Sequence, residues 1–182
     1  MKLILVRHGE TEENIKKIIQ GQSLHGKLSS KGIEQSKKIA EDLKQRRIDI
    51  IYSSDLKRAS NTSKIIAKFH KDSPLILTEE LRERNWGEFE GKTKGEVGWD
   101  KISHKYHKGF EKPKNGEDLN EFHQRVKNFL DKIKMKHPSQ TILVVCHKNF
   151  IRNLIGIIKQ KKVVETYDFG FVYPDRVYEF EV

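Results

Sequence analysis

A chain of 182 residues is long enough to enclose one full hydrophobic core and falls within the size of a single domain. It is 35% hydrophobic and 34% charged, yet the apolar residues are clustered and periodic, which argues against disorder, and no apolar run reaches the length of a membrane span. The net charge of +10 invites a nucleic-acid reading, but the lysines are spread over the whole length and interleaved with acids, as in Lys37-Lys38, Glu41-Asp42 and Lys44, the pattern of a solvated face. Neither nucleic acid nor a membrane is expected as a partner, while a positive field would favour a phosphorylated substrate.

Met1 to Val6 lacks the long apolar region and cleavage site of a secretory signal, and Leu3 to Val6 reads as a strand. Ile33, Ser36, Ala40 and Leu43 then share one helical face. A second strand is expected over Ile48 to Tyr52, and a helix carrying Leu56, Ala59, Thr62, Ile66 and Phe69 follows, with Asp55 as its N-cap. Leu75 to Leu77 is a short strand candidate. Residues 86–116 hold glycines, aromatics and many charges without a clear period, which marks a lid-like excursion. A helix through Leu119, Phe122, Val126, Phe129 and Ile133, a strand over Thr141 to Cys146, a helix through Phe150, Ile151, Leu154, Ile155 and Ile158, and an edge strand over Val177 to Val182 complete the chain. The principal strands are continuously apolar, as in a parallel sheet covered on both faces, and their alternation with helices predicts an α/β fold. With no repeat, linker or low-complexity tract, residues 1–182 read as one domain. The lone cysteine, Cys146, cannot form an internal disulfide, which suits the cytoplasm.

The strand ends carry the chemistry. The first runs straight into Arg7-His8-Gly9, the last of the parallel set into His147, and the second leads through Ser53-Ser54-Asp55 to Arg58 at a helix start. Ligands of an open parallel sheet bind at the carboxyl ends of its strands, so two histidines and two arginines from three separate segments converge there. Arginine forks match phosphate oxygens, a helix N-terminus adds oriented donors, and a neutral imidazole can attack phosphorus.

The motifs around these residues resemble, in order, those of the histidine phosphatase superfamily, the phosphoglycerate-mutase-like proteins. Leu5-Val6-Arg7-His8-Gly9-Glu10-Thr11, with Asn14 and Gln20-Gly21 beyond, is similar to the first block. Tyr52 to Ala59, Leu81 to Gly91, Asn115 to Asp118, and Val144 to His147 through Arg152 resemble the later ones. The resemblance implies a three-layer α/β/α sandwich with a mostly parallel central sheet. It implies that His8 is the nucleophile that becomes phosphohistidine, that Arg7, Arg58 and His147 hold the phosphoryl oxygens, and that Glu83 is the proton donor and later the base. Asn14, Gln20 and Gly21 are expected to bind the phosphate. Neither metal nor other cofactor is implied. From the residues alone, Glu80, Glu83, Glu88 and Glu90 are not separable; Glu10 and Thr11 are expected to serve as caps or supports. Two departures stand out. Lys148 occupies the position where the family usually has glycine, and Leu24-His25-Gly26-Lys27-Leu28-Ser29 lacks the proline that the family commonly shows.

Other readings fare less well. Cys146 and Arg152 have the spacing of a cysteine-phosphatase loop, but no glycine lies between them to let the backbone turn around a phosphate, and Cys146 is expected to be a buried strand-end residue. His104 and His107 form a His-x-x-His pair without further ligands at obvious spacing and are expected at the surface. His25, His70, His123 and His137 have no constellation. A non-catalytic polyanion-binding member of the fold is the rival outside enzymology; within it, a phosphoglycerate mutase would need a cover excluding water and family mutases carry a C-terminal tail, whereas this chain ends at Val182. The expected activity is therefore hydrolysis of a small phosphorylated metabolite, with self-association left open.

Overall fold

The structure is a computed structural model that describes every residue except 24, 25, 109, 110 and 169. The predicted strands are present as β1 (Lys2–Arg7), β2 (Ile50–Ser54), β3 (Leu75–Thr78), β4 (Thr141–Cys146) and β5 (Val177–Glu181). They form one sheet in the order β3-β2-β4-β1-β5, parallel except for β5, which pairs antiparallel with β1 at the edge. The helices are α1 (Glu12–Ile15), α2 (Ser30–Leu43), α3 (Lys57–Ala67), α4 (Lys94–Val97), α5 (Trp99–Lys108), α6 (Leu119–Lys136) and α7 (Lys148–Ile158).

Why the parallel strands read as unbroken apolar runs is visible in their two faces. Leu3, Leu5, Ile142, Val144 and Cys146 point into one core with Phe122, Val126, Phe129 and Ile133 of α6 and Phe150, Ile151 and Leu154 of α7. The alternate residues Ile4, Val6, Ile51, Leu143 and Val145 point into the other, against Ile39, Ala40 and Leu43 of α2 and Ile66 of α3. Each strand residue thus meets a helix on one side or the other, and the result is the expected α/β/α sandwich.

Several local expectations need correction. The second strand begins two residues later than Ile48 and runs on to Ser54. Ile33 is exposed, because the buried face of α2 is set by Gly32, Ser36, Ile39, Ala40 and Leu43. Phe69 lies beyond the end of α3 and is exposed. Asp55 does not cap α3: Leu56 is the N-cap residue, without a side-chain bond, and Asp55 instead receives the guanidinium fork of Arg82. Residues 86–116 are more regular than their composition suggests, since α4 and α5 fall inside them. Ile19, Trp86, Trp99 and Tyr106 form a small core of their own there, joined by Phe89, Val97 and Ile102.

Phe129 is fully buried, edge-on to both Tyr52 and Phe150, where α6, α7 and the sheet meet. Truncating such a ring removes its transfer energy and leaves a cavity. Phe129→Ala is expected to lower the free energy of unfolding in denaturant by about 3–5 kcal/mol; a loss under about 1 kcal/mol would mean that this junction collapses freely.

Candidate active site

The pairing register of β1 with β4 builds the floor of the site. Arg7 stands opposite Cys146, and the next residue continues the ladder, with the His8 amide donating to the Cys146 carbonyl at 3.0 Å. His8 and His147 therefore leave the sheet side by side, their ring centroids 5.2 Å apart. The loop after His8 passes so close to α2 that a Cβ on Gly32 would lie 2.0 Å from the Glu10 carbonyl oxygen, and one on Gly9 2.3 Å from the Gly32 carbonyl oxygen. Thr11 then caps α1 in a reciprocal box with Asn14 and accepts a 2.9 Å bond from Gln20 Nε2, the supporting role expected of it.

The His8 ring is nearly inaccessible, and its Nδ1 lies 2.7 Å from the Gly9 carbonyl. A carbonyl can only accept, so Nδ1 carries the proton and Nε2 keeps the lone pair. Burial first, then the charges of Arg58 and Arg7, hold the imidazole well below its ordinary pKa, so it stays neutral and nucleophilic at neutral pH. His147 is fully buried and pushed down likewise by burial, Arg58 and His8, and neither of its ring nitrogens has a hydrogen-bond partner among the described residues. A buried imidazole with both nitrogens unused is rare without a ligand-related reason.

The two arginines are fixed by backbone carbonyls. Arg58, on the first turn of α3, is fully buried and donates to the Gly21 carbonyl at 2.6 Å and to that of Ser23 at 3.3 Å. Burial brings its pKa down to about 10. Arg7 donates to the Val172 carbonyl at 2.9 Å, while its Nε has no partner among the described residues. Gly21 itself has φ +50°, and a Cβ there would strike the Glu90 carboxylate, so the loop that Arg58 holds depends on glycine.

Glu83 is separated from its neighbours by its surroundings. Its side chain is buried, its Oε1 accepts from the Arg84 amide at 2.9 Å, and its Oε2 accepts from the Asn149 amide in the first turn of α7 at 3.1 Å. Arg125 and Gln22 donate to its carbonyl. Glu88 is exposed, Glu80 pairs with Lys132, and Glu90 accepts from the amides of Gln22 and Trp86.

These residues surround a cleft of about 180 Å³. Arg7, His8, Asn14, Gln20, Gly21, Arg58 and Glu83 all line it, so every expected site residue is brought together except that His147 lies behind the lining, against His8. Trp86, Lys94, Trp99, His107, Lys148 and Arg152 line it as well. His107 is thus not a surface residue: it stacks on Tyr167 at 4.3 Å, meets Trp86 and Trp99 edge-on, and is pushed down to about 3 by burial and nearby cations. His104 is exposed, and among the described residues no three His, Cys, Asp or Glu side chains gather as metal ligands would. Cys146 is fully buried and its thiol pushed upward, which suits an inert strand-end residue. Leu24 and His25 lie outside the described residues. Sequence reasoning also missed Arg84, fully buried, stacked on Trp86 and bonded to the carbonyls of Tyr106 and Glu117; a lone arginine among charged residues gave no signal of such burial.

The family model of the histidine phosphatase superfamily, branch 1, matches residues 3–181. The chain belongs to the histidine phosphatase superfamily. It is 36% identical over 175 residues to phosphoserine phosphatase 1 of Hydrogenobacter thermophilus, spanning 93% of this chain and 82% of that protein. It is likewise 36% identical over 166 residues to the metal-independent phosphoserine phosphatase of Arabidopsis thaliana, spanning 87% and 69%. Among solved structures, Bacillus stearothermophilus YhfR superposes with a TM-score of 0.91 at 28% identity, over 100% of this chain and 91% of that one. The phosphoglycerate-mutase-like fold of this superfamily is therefore the fold of this chain.

If burial among arginines keeps both rings neutral, neither should titrate near the ordinary histidine value. In histidine-labelled protein without substrate, the His8 and His147 ring resonances, assigned with His8→Ala and His147→Ala, are expected to stay fixed between about pH 6 and pH 8. A midpoint near 6.5 for His8 would show that the pocket does not exclude the protonated ring.

Proposed function

We propose that this histidine phosphatase hydrolyses small-molecule phosphate monoesters through a covalent phosphohistidine on His8, without a metal ion. The observation that carries this reading is the His8 ring itself: tautomer fixed by the Gly9 carbonyl, lone pair on Nε2, held neutral beside Arg7 and Arg58 in a cleft of about 180 Å³.

In the first step Nε2 attacks phosphorus, the ester P–O bond breaks, and Glu83 gives its proton to the leaving oxygen. Arg7, Arg58 and the single N–H of the neutral His147 ring donate to the equatorial oxygens, where the transition state spreads its charge. Asn14, Gln20 and Gly21 bound the phosphate side of the cleft. In the second step Glu83 takes a proton from water, the hydroxide attacks phosphorus, the P–N bond breaks, and phosphate leaves. The fixed positive charge of the arginines does the neutralising that a metal would otherwise supply. The relatives named as phosphatases favour hydrolysis over mutase transfer. The same reading takes the chain as one domain, with residues 86–116 covering the cleft, and places the enzyme in the cytoplasm on its single buried thiol; among the described residues no helix is long and apolar enough to cross a membrane.

Rapid quench with labelled substrate is expected to trap an acid-labile, base-stable adduct on the peptide holding His8. A His8→Ala protein that turns over unimpaired would overturn the mechanism.

Glu83→Gln tests the proton donor through the leaving group. An alkoxide needs the proton and a nitrophenolate does not, and general acid catalysis contributes about 10²–10⁴ in rate. The variant is expected to lose most of that factor on an alkyl or sugar phosphate and far less on p-nitrophenyl phosphate, with the phosphorylation step isolated by burst kinetics. Equal losses on both would make Glu83 a positioning residue.

A further inference from the structure

A proton donor works only if its carboxylate is aimed at the leaving oxygen. Two bonds aim that of Glu83: Oε1 accepts from the Arg84 amide at 2.9 Å and Oε2 from the Asn149 amide at 3.1 Å. The first of these donors belongs to the peptide group that joins Glu83 to Arg84. A trans peptide is planar, and its N–H and C=O point in opposite directions. Whatever holds the carbonyl end of that peptide therefore also points its N–H at the carboxylate. The carbonyl end is held by two side chains, with Arg125 Nη2 donating to it at 3.2 Å and Gln22 Nε2 at 3.1 Å.

Arg125 stands on the second turn of α6 and has all five of its N–H groups engaged here. Nη1 donates to the carbonyls of Glu80 at 3.0 Å and Arg82 at 2.8 Å, Nη2 to that of Glu83, and Nε and Nη2 each donate to the Glu117 carboxylate at 2.8 Å. A rigid five-donor fork thus meets five acceptors. Glu117 is oriented in turn, because its Oε2 also accepts from the Asn85 amide at 2.8 Å. One residue just before α6 and one on its second turn together hold three carbonyls and one amide of the 80–85 segment. Residues 82–86 belong to no helix or strand, so their backbone groups depend on such side chains for partners. Neither Arg125 nor Glu117 lines the cleft.

Resting on the reading of Glu83 as proton donor, we infer that Arg125 is a positioning residue for that donor: anchored by Glu117, it fixes the 83–84 peptide and, through the Arg84 amide, the direction of the Glu83 carboxylate.

The test compares kcat/KM on an alkyl phosphate with kcat/KM on p-nitrophenyl phosphate. Under initial-rate conditions this parameter stops at release of the alcohol and so reports the phosphorylation step. Misplacing a catalytic group by about 1 Å costs on the order of 10² in rate, so Arg125→Gln is expected to lower the alkyl-to-nitrophenyl ratio by about 10- to 100-fold. Arg125→Lys keeps the charge but loses the fork, and should lower the ratio too; it serves where Arg125→Gln yields little folded protein. Because the readout is a ratio within each variant, a smaller active fraction cancels. Arg82→Gln, which frees Asp55 from the same segment without touching the 83–84 peptide, should keep the ratio. Adding Arg125→Gln to Glu83→Gln should leave the ratio where Glu83→Gln alone puts it. The inference is overturned if the Arg125 variants slow both substrates equally, if Arg82→Gln lowers the ratio as much, or if the double variant falls further than Glu83→Gln. A leaving-group-dependent loss in Glu83→Gln without one in Arg125→Gln sinks the positioning role and leaves the proton donor; equal losses on both substrates in Glu83→Gln sink the donor and the inference with it. Hydrogen exchange reads the clamp without turnover. The Arg84 amide is expected to exchange faster in Arg125→Gln than in the wild type, and an unchanged rate overturns the inference whatever the activity.

Discussion

One backbone bond, from the His8 amide to the Cys146 carbonyl, is the joint on which the site turns. It extends the β1–β4 ladder one residue past the end of β1 and so fixes His8 and His147 at adjacent positions on the same sheet edge. Because the side chains of a strand alternate between faces, a slip of β1 by one residue would turn His8 to the other face, away from His147. The register is held by two cores at once: Leu3 and Leu5 on one face and Ile4 and Val6 on the other are all buried, so slipping would exchange partners with both helical layers. The precision of the site is thus inherited from the apolar packing of the strand that delivers it.

Burying two imidazoles beside two guanidinium groups is electrostatically awkward, and backbone dipoles hold part of both cations. Arg58 and Arg7 bond carbonyl oxygens of Gly21, Ser23 and Val172. A carbonyl accepts from a guanidinium without cancelling its charge. The imidazoles answer by staying neutral. Glu83, the carboxylate that acts most strongly on both arginines, is held by two amide bonds, one from the first turn of α7.

What was legible in the sequence followed from local rules. Unbroken apolar runs gave a two-sided parallel sheet, and the residues just past those runs gave His8, His147 and Arg58, because strand ends of such a sheet face the ligand. What was not legible depended on partners distant in the chain. Glu83 differs from Glu80, Glu88 and Glu90 only in lying against α7, 66 residues away. Asp55 has the right position for a cap, but Arg82, 27 residues on, takes its carboxylate. Ile33 fits the helical period of α2, yet the close approach of the Glu10 loop at Gly32 rotates the buried face away from it. His107 packs against Trp99 of its own helix, but Trp86 and Tyr167, which enclose it further, come from segments on either side of that helix; no periodicity within residues 99–108 could announce those two.

The wall formed by residues 86–97 is bound to the Lys17–Gln22 side of the cleft by more than side-chain packing. Ile19 donates to the Lys92 carbonyl and accepts from the Gly91 amide, both at 2.9 Å, and the Lys94 amide donates to the Lys17 carbonyl at the same distance. Glu90 ties Gln22 to Trp86 by accepting from both amides with one oxygen. Ile19 also enters the aromatic core of the wall beside Trp86 and Trp99. Any movement of that wall that kept these bonds would therefore carry Lys17 to Gln22 with it, and Gly21 is held in turn by Arg58. Opening the cleft at this side alone would break a short ladder and expose tryptophan surface together. The 86–97 wall and the 17–22 loop are in this sense one unit.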